Sequence, residues 1–103
     1  METPGDTPGK HPTSELTELR QKIEDVDRRI VGLIAARCRL ARAAGERKRA
    51  AGLATLDPAQ EAVVVRRAAV RARQAALDEE RVRQVFWCLI ELSRASQNPL
   101  DNP

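Results

Sequence analysis

Aromatic residues are almost absent: Phe86 and Trp87 are the only two, and there is no tyrosine. A core therefore has to be assembled from Ala, Val, Leu and Ile, within a hydrophobic share of 42%. No apolar run approaches the roughly 18 residues that a membrane-spanning helix needs. The opening METPGDTPGKHPTSE lacks an apolar stretch and does not read as a secretory signal. Two cysteines, Cys38 and Cys88, lie 50 residues apart and make neither a zinc pattern nor a disulfide framework. A reduced, cytoplasmic protein is expected, with both thiols acting as small buried or half-buried apolar groups. The single histidine, His11, sits in a Pro/Gly-rich segment, so neither catalysis nor metal binding is expected of it. No cofactor and no metal are expected.

What remains is a helical composition. The 103 residues are one domain's worth and leave no room for a second catalytic or effector module. Charged residues reach 32%, and 15 of the 18 basic ones are Arg. A mixture rich in Ala, Leu, Arg and Glu favours helix over strand. The net charge of +3 permits an anionic partner without demanding nucleic acid.

Residues 1–13 carry three prolines and two glycines and read as a disordered tail. From Ser14, a candidate cap, apolar residues recur at Leu16, Leu19, Ile23, Val26, Ile30 and Leu33, one continuous helical stripe. The pattern continues through Leu40 and Ala44, with Gly52 as the stop. Gly32 and Gly45, inside this helix, mark either close backbone packing or tolerated surface positions. Asp57-Pro58-Ala59-Gln60 is a sharp second start, with Asp57 as cap, Pro58 at the first helical position and Gln60 reaching back as in a capping box. This helix runs to about Ala76, with Val64, Val65, Ala68 and Ala72 inward. Asp78 caps a third helix whose apolar face is Val82, Val85, Phe86, Leu89 and Ile90, and Asn98-Pro99 ends it. The helical domain thus spans 14–97, with a tail over 98–103.

A first helix of about 37 residues would be about 55 Å long at ~1.5 Å per residue. A compact chain of this size has a radius of gyration of only about 13 Å. The two shorter helices cannot cover both ends of such a rod. An all-α fold is therefore expected, three helices per chain with a very long first one, intertwined with a second copy as a homodimeric helical bundle.

Polar residues interrupt the apolar faces. The first helix's stripe continues into Arg37, and Lys48, eleven residues on and close to three turns away, points the same way. Glu61 shares the face of Val64, Val65 and Ala68. Val85, Leu89, Ser93 and Gln97 form one i, i+4 row whose last two members are polar. Inward cations need partners. Either Arg37 and Lys48 pair with Glu61 and Asp57 in a structural network, with Ser93 and Gln97 marking a fraying helix end, or the set lines a pocket for a small polar anion.

These residues resemble the all-helical chorismate mutases. The resemblance rests on Leu19-Arg20-Gln21-Lys22-Ile23 with Asp27, on IVGLIAARCRLARAAGERK ending in Gly45 and Lys48, on LDPAQE and on ELSRASQ. It covers residues 15–97 without a gap. It implies a Claisen rearrangement of chorismate to prephenate, at the branch toward phenylalanine and tyrosine, in a cytoplasmic three-helix dimer. Carried over by position, Arg20 and Arg37 would bind the substrate's two carboxylates, and Lys48 and Gln97 its ether oxygen. Asp57 and Glu61 would face the ring hydroxyl, and Ser93 the ring carboxylate. Arg20 and Arg37 lie 17 residues apart, about 25 Å along a helix and roughly 100° around it. One small dianion cannot touch both in one chain, and in the family the Arg20 equivalent comes from the partner subunit.

The family commonly has Arg before Glu61, and this chain has Gln60. Two neighbours of the reaction stay open: a mutase for 4-amino-4-deoxychorismate, whose ammonium would meet Asp57 and Glu61 beside a neutral Gln60, and an isochorismate pyruvate-lyase. A different class is a non-catalytic helical dimer binding an anionic partner or a larger enzyme through Arg66, Arg67, Arg71 and Arg73. Glu46, Glu79 and Glu80 interleave the basic residues, as on ordinary solvated helix faces, so neither a nucleic acid nor a membrane is expected as partner.

Overall fold

The computed structural model describes residues 11–97; of the expected tails at 1–13 and 98–103 only residues 11–13 fall within them, and Pro12 and Thr13 belong to the first helix. The described residues form three helices, α1 (Pro12–Ala50), α2 (Pro58–Gln74) and α3 (Glu79–Gln97), and no strand. The all-α expectation holds.

Local chemistry sets each helix end. Ser14 is not the cap of α1: the helix begins two residues earlier, at Pro12, whose fixed φ suits a first helical position. The His11 carbonyl accepts from the Glu15 amide at 2.9 Å, and its Nδ1 accepts from the Thr13 amide at 3.2 Å, so an imidazole does the capping. At the other end Leu53 N–H donates to the Lys48 carbonyl at 2.8 Å and Gly52 N–H to that of Arg49 at 3.1 Å. That is a Schellman pair, and it needs a left-handed residue, which Gly52 supplies at φ +72°. Asp57 caps α2 by accepting from the Gln60 amide at 3.1 Å, with Pro58 in the first turn. Asp78 caps α3 by accepting from the Arg81 amide at 2.9 Å. The same Schellman bonds close α2, from Leu77 N–H to Ala72 and from Ala76 N–H to Arg73, but here the left-handed position is filled by an alanine, Ala76, at φ +58°.

The chain divides into two units, Met1–Leu33 and Ile34–Pro103. Every described residue of the first is exposed, including the stripe Leu16, Leu19, Ile23, Val26, Ile30 and Leu33. The ion pairs of Arg28 with Glu24 and Asp25 there are local and solvated. In the second unit α2 packs on α3 around Val65, Ala68, Ala69, Ala72 and Ile90. Alanines make up most of that seam, so the facing side chains are short and the two helices pack closely. Val85, expected on the inner face of α3, is exposed, as is Cys88, while Cys38 is half-buried; both thiols are free. The second half of α1 joins α3 through long polar side chains, which build the site below.

Candidate active site

A cavity of about 330 Å³ opens within the second unit. Arg37, Lys48, Asp57, Gln60, Glu61, Ser93 and Gln97 all line it, together with Leu40, Ala41, Ala44, Thr55, Val64, Ile90 and Arg94. The polar residues that interrupted the apolar faces are thus brought together. Arg20 is the exception: it lies on α1 in the first unit, is exposed and does not line the cavity.

Helix periodicity positions the two inward cations. Arg37 and Lys48 are three turns apart on one face of α1. The Arg37 Nη1 donates to the Leu89 carbonyl at 3.3 Å and to the Ser93 hydroxyl, which itself donates to that carbonyl at 2.8 Å. Ser93 is buried, with its hydroxyl proton committed to the Leu89 carbonyl and one lone pair to Arg37, so it orients the guanidinium. Lys48 Nζ donates to the Thr55 carbonyl at 3.2 Å, tying the α1–α2 loop to the cavity wall. Neither cation forms an ion pair among the described residues, so the expected network of Arg37 and Lys48 with Glu61 and Asp57 does not form. Each cation donates to a neutral oxygen instead, and Glu61 is hydrogen-bonded by another residue, although the Lys48 charge still acts on it.

Its partner is Arg94 of α3, a residue the sequence reading passed over. Arg94 Nε donates to Glu61 Oε2 at 2.8 Å and Nη2 to Oε1, a two-pronged fork across the α2–α3 seam. The hydrogen bond from Arg94 is the main cause that holds the Glu61 carboxyl below its ordinary pKa, with burial opposing it and the Arg94 charge reinforcing it. A signal for Arg94 existed, since it sits four residues after the buried Ile90 and so on the same face of α3.

Gln97 is the last residue of α3, yet its end is tied. Its Nε2 donates to the Ala41 carbonyl at 3.1 Å, and Arg49 Nη1 donates to the Gln97 carbonyl at 3.0 Å. Arg42 Nε reaches the Ser96 carbonyl at 3.4 Å. These bonds satisfy carbonyls that a helix C-terminus leaves open. The close approach depends on Gly45, where a Cβ would lie 3.2 Å from Gln97 Cγ and 3.3 Å from its Cβ. At Gly32 a Cβ would meet nothing, so the two readings left open for these glycines divide between them. Gln60 contributes its amide to the α2 cap but not its side chain, which makes no hydrogen bond among the described residues; the reciprocal capping box does not form.

The cavity therefore offers two cations without carboxylate partners, a tethered amide and a forked carboxylate. No cluster of His, Cys, Asp and Glu suited to a metal occurs among the described residues, and no helix there is long and apolar enough to cross a membrane. No solved structure matches the chain. The chain is 34% identical over 83 residues to the chorismate mutase of Methanocaldococcus jannaschii, a match covering 81% of this chain and 84% of that protein. The family model for chorismate mutase type II matches residues 19–98, which contain the whole cavity lining, and the chain belongs to that family.

Proposed function

We infer that the cavity binds chorismate and rearranges it to prephenate. One observation carries this reading: Arg37 and Lys48 enter one small concavity, and the hydrogen bonds they make there go to neutral oxygens, with no carboxylate ion-paired to either. Half-buried cations placed so ask for an anion. Chorismate has two carboxylates, one ether oxygen and a single hydroxyl donor. Arg37, a planar fork, suits a carboxylate, with Ser93 beside it. Lys48 and Gln97 are donors for the ether oxygen. Asp57 and Glu61 are acceptors, and the ring hydroxyl is the one donor they can meet, with Gln60 at the same end.

The reaction needs no nucleophile and no proton transfer. The C–O bond breaks as a C–C bond forms within one molecule, and negative charge grows on the ether oxygen. Catalysis then consists of holding the reactive folded conformer and placing donors where that charge develops. An ammonium and an amide from different helices, each anchored to a backbone carbonyl, are preorganised for that.

The second carboxylate requires a further cation, and Arg20 is the residue assigned to it. Arg20 does not line its own chain's cavity, and the apolar stripe of the first unit is exposed in one chain. Both facts fit a homodimer in which a second copy covers the stripe and the partner's Arg20 completes the site. Covering a Leu or Ile fully contributes about 1.5–3 kcal/mol per side chain. Two free thiols fit a cytoplasmic setting, and prephenate leads toward phenylalanine and tyrosine.

The test is light scattering for a dimer, followed by chorismate consumption with the product identified. Prephenate formation that is lost in Arg37→Ala supports the reading. Chorismate left unchanged by a folded dimer refutes it.

A further inference from the structure

We propose that Arg94 determines specificity at the acceptor end of the cavity, making it select a substrate with a ring hydroxyl over one with an ammonium at the same position. The proposal rests on the reading of the site given above, in which Asp57 and Glu61 face that ring substituent. Beyond it, the observation is the fork itself. Arg94 engages both oxygens of Glu61 from α3, with the carboxylate side chain 16% exposed and the guanidinium side chain 46% exposed, and both residues line the cavity.

A carboxylate oxygen has two lone pairs, and the fork uses one on each. Glu61 keeps acceptor capacity for a hydroxyl but is no longer an uncompensated charge. An ammonium placed there would meet a carboxylate whose charge is already balanced, with a guanidinium behind it. Like charges at that range disfavour binding. Cavity charge points the same way. Arg37, Lys48 and Arg94 exceed Asp57 and Glu61 by one positive charge, and the partner's Arg20 adds another. The total matches a dianion; an amino analogue, carrying one negative charge net, leaves the site over-positive. Gln60 is neutral and lies at this end; the Lys48 charge also acts on Glu61, but Arg94 is the cavity-wall side chain that forms an ion pair and hydrogen bonds with it.

The experiment compares wild type, Arg94→Ala, Arg94→Lys and the double variant Arg94→Ala/Gln60→Arg. For each, kcat and KM are measured with chorismate and with 4-amino-4-deoxychorismate, and the Glu61 carboxyl is titrated by NMR in the ligand-free protein. In Arg94→Ala, selectivity for chorismate over the amino compound should fall by at least about tenfold, mainly through KM, with the Glu61 titration moving up toward its ordinary range. Lys at 94 should recover part of the selectivity, and Arg at 60 should restore it by returning the charge from α2. Equal losses with both compounds, or an unmoved Glu61, would overturn the proposal by showing that Arg94 only holds α2 to α3. A wild type that rearranges neither compound would refute the mutase reading instead. The selectivity is then read from equilibrium binding of the same two compounds, with the same expected change.

Discussion

Replacing Gly45 with alanine separates packing from catalysis at the tethered end of α3. In an open helix interior this change stabilises by about 1 kcal/mol, because glycine's backbone loses more freedom on folding. At Gly45 the new methyl would sit 3.2 Å and 3.3 Å from Gln97 side-chain carbons and 3.4 Å from Arg49 Nη1. Those atoms must yield by a few tenths of an ångström. Overpacking costs about 1–3 kcal/mol in a closed core, but the atoms met here are the Gln97 side-chain carbons and the end of the Arg49 side chain, which can give by a few tenths of an ångström within their tethers, so the lower end applies. The two effects nearly cancel, and the unfolding free energy should change by less than about 1 kcal/mol. Activity should not be spared. A 1 Å misplacement can cost about a hundredfold, so a shift of a third of that predicts a loss of about three- to tenfold in kcat. Gly32 is the control: a Cβ there meets nothing and faces away from the apolar stripe, so Gly32→Ala should gain about 1 kcal/mol with unchanged kcat. Urea melts and steady-state chorismate consumption read both quantities. A Gly45→Ala protein that is about 1 kcal/mol more stable and fully active would show that Gln97 is not held against that glycine.

Three other changes have definite expected outcomes. Ala76→Gly relieves a left-handed alanine that costs about 1–2 kcal/mol, less glycine's own entropic cost of about 0.5–1, so a gain of about 0.5–1 kcal/mol in a urea melt is expected. Lys48→Ala should lower kcat by about 10²–10³, the usual loss for one donor to developing negative charge, with a small change in thermal midpoint measured in parallel. Glu61 has a folded pKa below its unfolded value of about 4.5, so its contribution to stability is present above that pH and is lost as pH falls through the folded pKa. Stability curves against pH should therefore be flatter on the acid side for Glu61→Gln than for wild type; parallel curves would contradict the Arg94 fork.

Helix ends were legible wherever a short side chain or a glycine does the capping, and not elsewhere. Asp57, Asp78 and Gly52 announce themselves because their chemistry is local to three or four residues. The start of α1 was missed by two residues because an imidazole, an uncommon cap, takes the place of a serine. Face arithmetic on single helices foresaw that Arg37 and Lys48 share a direction, and the same arithmetic placed Ser93 and Gln97 together. It cannot say which polar groups meet across helices. Whether Glu61 pairs with Lys48 or with Arg94 depends on how α2 and α3 are rotated about their axes, and that rotation is set by Val65, Ala68, Ala69, Ala72 and Ile90. Those small residues let the helices come close enough for Arg94 to span the seam, which leaves Lys48 on Thr55 rather than on a carboxylate. Two α2–α3 features thus decide the charge of the cavity: an alanine-rich seam and one arginine four residues past Ile90. Widening the seam with Ala69→Leu should detach Arg94 from Glu61, and the Glu61 titration should then rise although no charge in the cavity has been changed.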